Sequence, residues 1–484
     1  MRKLLLIMLS LWALGMLATA CGGDEPTPAP AAPSVSAQDI QDAVDRAIAG
    51  AAAAGTSADE IRTMVEAAVT AAAAAGPEGL TASQVEAIVA AAAAPEGLSA
   101  SEVEGIVTAA LAAQAAMETA PTGPFVVGVM ESLTGPGETY GNVAVQAKLL
   151  AVSEINAAGG INGRQLKLII EDSKCNARDS ITAYTKLTSV DGVKIILGTS
   201  CSGAMLGAAP LADKDGVIMF SGLATNPLIK DAGDFIFRTA INDALVGVDT
   251  GNTLWSDGIR KLATITEATD YAEGVRRETA ARFETLGGEI VAEERYASEE
   301  TDYRAAITRI IGKNPDAIHI AAQAEFAGGT IIKQLRELGW DGPIYGEIVA
   351  IGSTALDVAG DAATGVKGIV PALDPGNTKA NDFLDRFRDR YDYTTLEWFM
   401  GSAYDDVYIT AACLAQTGDD QDAAGFRDCL YNMSSYAGTI GTYTFDSDGE
   451  VVGLSNAVAE VLPLAERTAG NSGWVILGPA PVLP

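Results

Sequence analysis

The sequence predicts an α/β protein with two parallel-sheet lobes, preceded by an alanine-rich helical stalk. Three observations lead there. The chain has 484 residues, too many for one ordinary compact core. From Phe125 onward, apolar strand-like runs alternate with helical spacings, the mark of βαβ units and parallel sheets. Before that point, residues 36–118 hold 30 alanines in 83 positions.

The N-terminus reads as an export signal. Met1-Arg2-Lys3 is a short basic start, and Leu4–Leu17 is a 14-residue apolar core. That core falls short of the roughly 20 residues a membrane-spanning helix needs. Small residues follow, Ala18-Thr19-Ala20, and then Cys21. A cysteine so placed resembles a bacterial lipobox, in which it receives lipid and becomes the new N-terminus; the usual leucine three residues before it is Ala18 here. Residues 1–20 are therefore expected to be a signal peptide. Residues 21–35, rich in Pro and Ala, are expected to be a tether leaving a membrane surface. An exported chain meets a compartment in which disulfides persist.

In the stalk, residues 36–118, a weak repeat recurs. Ser36-Ala-Gln-Asp39, Ser57-Ala-Asp-Glu60, Thr81-Ala-Ser-Gln84 and Ser99-Ala-Ser-Glu102 resemble helix capping boxes. Alanine behind each cap propagates helix, and Gly55, Gly76-Pro77, Pro95 and Gly97 punctuate it. The apolar stripes, such as Val85, Ile88 and Val89, are too narrow to bury a core alone. Residues 21–124 carry 14 acidic and 2 basic side chains, which favours a solvated, extended stalk over self-association.

Residues 125–484 carry the strand–helix rhythm. Phe125–Met130, Leu166–Ile170, Val193–Leu197 and Val217–Phe220 read as strands. Helical spacing runs over Val143–Ile155 and Asp179–Val190. The pattern continues with strands at Leu262–Thr266, Ala317–Ala321 and Ile344–Gly346 and helices at Ala272–Leu286 and Gly329–Leu338. Asn162-Gly163 and Asp446-Ser-Asp-Gly449 read as turns. About 360 residues of this rhythm exceed one sheet, so two lobes are expected.

Composition narrows the chemistry. A net charge of −31 argues against nucleic acid, whose phosphates need basic patches. The single histidine, His319, lies in the apolar run AIHIAA and reads as a packed core residue; multi-histidine metal sites drop out. The stretch Gly198-Thr-Ser-Cys-Ser-Gly-Ala-Met205 follows a strand, where a nucleophile, a metal ligand, half of a disulfide or a ligand cradle would all fit. It is no nucleophile elbow, because Ser202 stands where the second glycine belongs. No Cys-x-x-Cys exists, and no dinucleotide or Walker fingerprint. With Cys21 set aside for lipid, four cysteines remain and allow three pairings. Cys175 and Cys201 both follow strands, one βαβ unit apart, where a bridge is geometrically natural. Cys413 and Cys429 fall on consecutive helices and could join them. Strand C-terminal ends are also where open α/β sheets bind ligands, so a cradle and a disulfide can coexist at Cys201.

Eight stretches together resemble the leucine/isoleucine/valine-binding protein family, the substrate-binding proteins of branched-chain amino acid ABC importers. They are "SLTGPGETYG" (132–141), "EINAAGGINGRQLKLIIED" (154–172), "GTSCSGA" (198–204), "LATNPL" (223–228), "FIFRT" (235–239), "TDYAEGV" (269–275), "NPDAIHI" (314–320) and "AYDDVYI" (403–409). The resemblance covers nearly all of residues 125–484. It implies the type I periplasmic-binding-protein fold, in which two α/β lobes joined by three hinge strands close on a ligand. Lobe 1 would comprise about 125–242 and 372–445, and lobe 2 about 243–371 and 446–484. In the family, the loop matching Ser200-Cys201-Ser202 offers backbone groups and a hydroxyl to the ligand's α-carboxylate, and its cysteine bonds the one matching Cys175. The loop matching Leu223-Ala224-Thr225 adds backbone groups and a threonine hydroxyl. A tyrosine matching Tyr271 and a glutamate matching Glu347 come from the other lobe, the acid meeting the ammonium. Tyr140 falls where an aromatic lines the pocket. Leu223 stands where the family has a small residue, and Gln323 or Ala324 where it has a second tyrosine.

The expected function follows from the resemblance. It is a lipid-anchored extracytoplasmic receptor, not an enzyme and without cofactor, that captures a small amino acid. An aliphatic or branched-chain cargo is expected, handed to an ABC permease. The alternatives are an amide or carboxylate ligand, a sensor of the same fold, and an exported hydrolase using Ser200 or Cys201.

Overall fold

The computed structural model describes residues 123–391, 398–468 and 471–484. The signal segment, Cys21, the linker and the alanine-rich stalk lie outside the described residues.

Two sheets organise the described chain. Five parallel strands build the first: β1 (Phe125–Glu131), β2 (Leu166–Asp172), β3 (Ile195–Leu197), β4 (Ile218–Ser221) and β5 (Ile236–Arg238), in the order β2-β1-β3-β4-β5. Helices α1 (Glu138–Ala157), α2 (Ala177–Ser189) and α3 (Ser202–Asp215) connect the first four. After β5 the chain passes into the second lobe. There it forms α4 (Asp243–Ser256), β6 (Lys261–Glu267), α5 (Asp270–Thr285), β7 (Glu289–Tyr296), α6 (Arg304–Ile311) and β8 (Ala317–Ala321). It continues with α7 (Glu325–Glu337), β9 (Ile344–Glu347), α8 (Ser353–Ala359) and β10 (Lys367–Pro371).

A second passage returns it to the first lobe for α9 (Thr378–Tyr391), α10 (Trp398–Thr417), α11 (Ala423–Tyr431) and the small sheet β11 (Tyr436–Ala437), β12 (Thr442–Phe445) and β13 (Val451–Val452). A third leads to β14 (Asn456–Val461) and β15 (Trp474–Pro479), which close the second sheet in the order β15-β14-β10-β9-β8-β6-β7. Strands β6 to β10 run parallel, whereas β14 and β15 are antiparallel additions. Three passages between two lobes leave a cleft at the C-terminal edges of both sheets, where βα loops converge.

Strand alternation sets which face each residue serves. On β1, Val127 and Val129 pack with the α1, α9 and α10 layer, while Met130 packs with α2 and α3. On β8, Ile318 and Ile320 join the α6 and α7 side, and Ala317 meets Leu254 and Phe283 of α4 and α5. Several expected elements shift at their ends; the helix expected from Gly329 begins at Glu325. The strand expected from Val193 begins at Ile195, because the Val193 N–H turns back to the Leu187 carbonyl (2.9 Å) and closes α2 instead. The helix expected from Val143 begins at Glu138; its first turn lacks apolar spacing yet carries Tyr140. The structure joins Cys175 to Cys201 and Cys413 to Cys429, with Cα separations of 5.2 and 5.7 Å.

One charged pair is sealed inside the first lobe. Lys148 Nζ on α1 lies 2.6 Å from Glu131 Oε1 at the end of β1, both side chains fully buried. Nearby on α10, burial pushes the Asp406 carboxyl up to about 7 against the pull of Lys148. Removing one partner of a buried pair strands the other charge, at a cost of about 3–5 kcal/mol. Lys148→Met is therefore expected to destabilise the protein by about that amount. Urea unfolding checks this, and a change below about 1 kcal/mol would show that the pair is not a structural requirement.

Candidate functional site

The cleft between the lobes has an empty volume of about 1100 Å³, including the part open to solvent. The first lobe contributes Tyr140, Ser200, Ser202, Leu223, Thr225, Trp398 and Phe399. The second contributes Asp243, Tyr271, Gln323, Glu325, Glu347 and the apolar Ile348, Val349 and Ile369. Three contacts tie the lobes across its mouth. Tyr140 and Gln323 exchange hydrogen bonds: the Tyr140 hydroxyl donates to the Gln323 carbonyl (3.2 Å), and the Gln323 amide donates to the hydroxyl. Asn226 Nδ2 donates to the Asp270 carbonyl (2.6 Å). At Gly203 an added Cβ would sit 2.6 Å from Asp270 Oδ2, so glycine permits the approach of α3 to α5.

On the first lobe, the loop after β3 aims a helix end into the cleft. Gly198 has φ of 110°, and a Cβ there would lie 2.1 Å from the Met130 carbonyl oxygen, so only glycine lets the chain pass. Cys201 is the N-cap of α3 and makes no side-chain capping bond, and the first turn carries no acidic residue. The uncapped N–H groups and the helix dipole make this end a natural anion site. Ser202, the first helical residue, accepts from the Thr225 and Asn226 N–H groups (3.2 and 3.1 Å) and so leaves its own proton to donate. The Ser200 hydroxyl donates to Glu131, linking the loop to the buried Lys148 pair.

On the second lobe, Glu347 ends β9 and is 1% exposed. Its Oε1 is met by His319 Nε2 (2.8 Å) and the Thr250 hydroxyl (3.3 Å). Its Oε2 is buried with no hydrogen-bond partner among the described residues. Asp243 stands close by at the start of α4, accepting from the Thr225 hydroxyl (2.9 Å). Burial holds the Asp243 carboxyl well above the usual carboxylate range, with Glu347 adding to the effect. Burial likewise raises the Tyr271 phenol, helped by Asp243 and Glu347, so the ring donates as a neutral hydroxyl.

The sequence-derived residues divide clearly. Tyr140, Ser200, Ser202, Leu223, Thr225, Tyr271 and Glu347 all border the one cleft. Cys201 and Ala224 do not: the Cys201 sulfur is bonded to Cys175, and the Ala224 N–H goes to Ser221 Oγ (3.0 Å). Cys201 still acts on the site, its Sγ lying 3.5 Å from the Tyr140 hydroxyl. Sequence reasoning missed Asp243, Glu325, Trp398 and Phe399. Asp243 carried the one available signal, a helix start immediately after the "FIFRT" stretch. Among the described residues no cluster of His, Cys, Asp or Glu has the arrangement to hold a metal ion, and no helix is long and apolar enough to cross a membrane.

The family model described as "Periplasmic binding protein" matches residues 124–461. The Leucine-, isoleucine-, valine-, threonine-, and alanine-binding protein of Pseudomonas aeruginosa is 26% identical over 340 residues, 69% of this chain and 89% of that protein. Leu/Ile/Val-binding protein homolog 1 of Brucella abortus is 26% identical over 329 residues, 67% of this chain and 87% of its own. Among solved structures, the branched-chain amino acid transporter substrate binding protein LivJ of Streptococcus pneumoniae, in complex with isoleucine, superposes with a TM-score of 0.64. It is 27% identical and covers 74% of this chain and 100% of that one. The leucine binding protein LivK of Thermotoga maritima has the same fold at a TM-score of 0.64 and 21% identity. The chain belongs to the periplasmic binding protein family, and is a solute-binding protein rather than an enzyme.

Proposed function

We propose that the cleft captures a small α-amino acid with an aliphatic or branched side chain and delivers it to an ABC importer. One observation carries the reading. A donor pole on one lobe, the uncapped start of α3 with Ser202, and the unpartnered Glu347 oxygen on the other border the same cleft. An α-amino acid is the small solute that needs both at once, a carboxylate at one end and an ammonium at the other. Leu223, Ile348, Val349 and Ile369 supply apolar wall for the side chain. The printed names of the relatives point the same way. Thr225 and Tyr271 add hydroxyls between the poles, and the Tyr271 ring offers a cation–π face to the ammonium.

Function is closure, not bond chemistry. A ligand that touches both lobes stabilises the closed arrangement by its differential affinity for it. An importer then reads the closed state at the membrane. Family membership places the protein outside the cytoplasm. Lipid on Cys21 would hold it to the membrane, with residues 22–118 as tether and stalk.

Glu347→Gln is expected to weaken binding of L-leucine by roughly 100-fold, because the ammonium loses the carboxylate that pairs with it in a closed cleft. Titration calorimetry checks this; equal affinity in parent and variant would remove Glu347 as the ammonium partner. Cys21→Ser is expected to move the folded protein from the membrane fraction to the soluble one. A variant that stays with the membrane would rule out the lipid anchor.

A further inference from the structure

Glu347 is itself held by the only histidine in the sequence. His319 is fully buried on β8 and does not border the cleft. It lies between Ala317, which packs on Leu254 and Phe283, and Ala321, which packs on Tyr271 and Val275. By strand alternation its ring faces the layer between the second sheet and helices α4 and α5. Directly opposite it in register stand Thr264 of β6 and Tyr345 of β9. From α4, Thr250 meets the same Glu347 oxygen, and Asp243 and Asp249 both feel the Glu347 charge. From α5, Tyr271 does too. Among the described residues no Lys or Arg borders the cleft.

A carboxylate oxygen only accepts, so the 2.8 Å contact requires His319 Nε2 to carry the hydrogen. Nδ1 is buried with no hydrogen-bond partner among the described residues, so a hydrogen there would be an orphaned donor and the Nε2–H tautomer fits the site. The imidazole then orients Glu347 and leaves its other oxygen for the cargo.

We propose that His319 is the positioning residue that presents the free Glu347 oxygen to the ligand's ammonium: its Nε2–H occupies Oε1 and leaves Oε2 for the cargo. The inference rests on the amino-acid reading above.

The experiment is calorimetry of L-leucine binding with ¹⁵N-histidine NMR on the same full-length protein. Because there is one histidine, the spectrum contains one imidazole. The expected spectrum with ligand is the neutral Nε2–H tautomer. His319→Leu removes the donor and is expected to bind at least roughly tenfold more weakly, whereas His319→Gln keeps a donor near the Nε2 position and is expected to restore most of that loss.

An Nδ1–H tautomer, or unchanged binding in His319→Leu, would overturn the inference, and the NMR result does not depend on either variant folding. If the parent binds no amino acid at all, the amino-acid reading falls first and the inference with it; if it binds and the imidazole is the Nδ1–H tautomer, the inference alone falls.

Discussion

A carboxylate oxygen buried without a partner is costly, typically several kcal/mol if the group is charged. Among the described residues Glu347 Oε2, Glu267 Oε1 and Asp406 Oδ2 are such atoms, and of these only the Glu347 carboxylate borders the cleft. Much of the second lobe is arranged around that carboxylate. β9 delivers it to the cleft edge, β8 supplies the His319 contact, and α4 supplies Thr250. Among the described residues the donors, His319 and Thr250, both reach the other oxygen, so the open valence is directed rather than scattered. That makes closure dependent on cargo: with the site unfilled, the closed state leaves a carboxylate oxygen unsatisfied, and a cation from the solute removes the penalty.

The first lobe is built to the opposite end. Its site is backbone, a bare helix start, and backbone donors must be immobile to discriminate. Gly198 lets the loop pass under β1, and the Cys175 bridge ties the N-cap to the loop after β2, across β1 in the sheet. The Ser200 hydroxyl anchors the loop to a carboxylate that is itself neutralised by Lys148. The rigid donor pole and the directed acceptor pole belong to different lobes, and this division turns binding into movement.

The alternation of strands and helices was legible because parallel strands are buried on both faces and read as continuous apolar runs, as Phe125–Met130 and Ala317–Ala321 do. Strand ends were less so: Val193 is apolar enough to extend β3, and only the tertiary hydrogen bond to Leu187 removes it. Most of the cleft's polar residues were named from the resemblance, since the cradle sits within short contiguous stretches. Asp243, Trp398 and Phe399 arrive from the lobe passage after β5 and the start of α10, and nothing local in their sequence announces a cleft. His319 was placed correctly in the core by its apolar run, but its contact with Glu347 is created by two strands pairing in register, 28 residues apart. Composition could not reveal that.

The central claim is that two opposed poles grip one zwitterion. The direct measurement compares L-leucine with single-pole analogues in one calorimetric series: the methyl ester, which lacks the carboxylate, and 4-methyl-2-oxopentanoate, which lacks the ammonium. The account predicts that each loses roughly 100-fold or more, since each leaves one buried pole unmatched. Retention of leucine-like affinity by either analogue would contradict it, and the identity of that analogue would name the pole that does not bind.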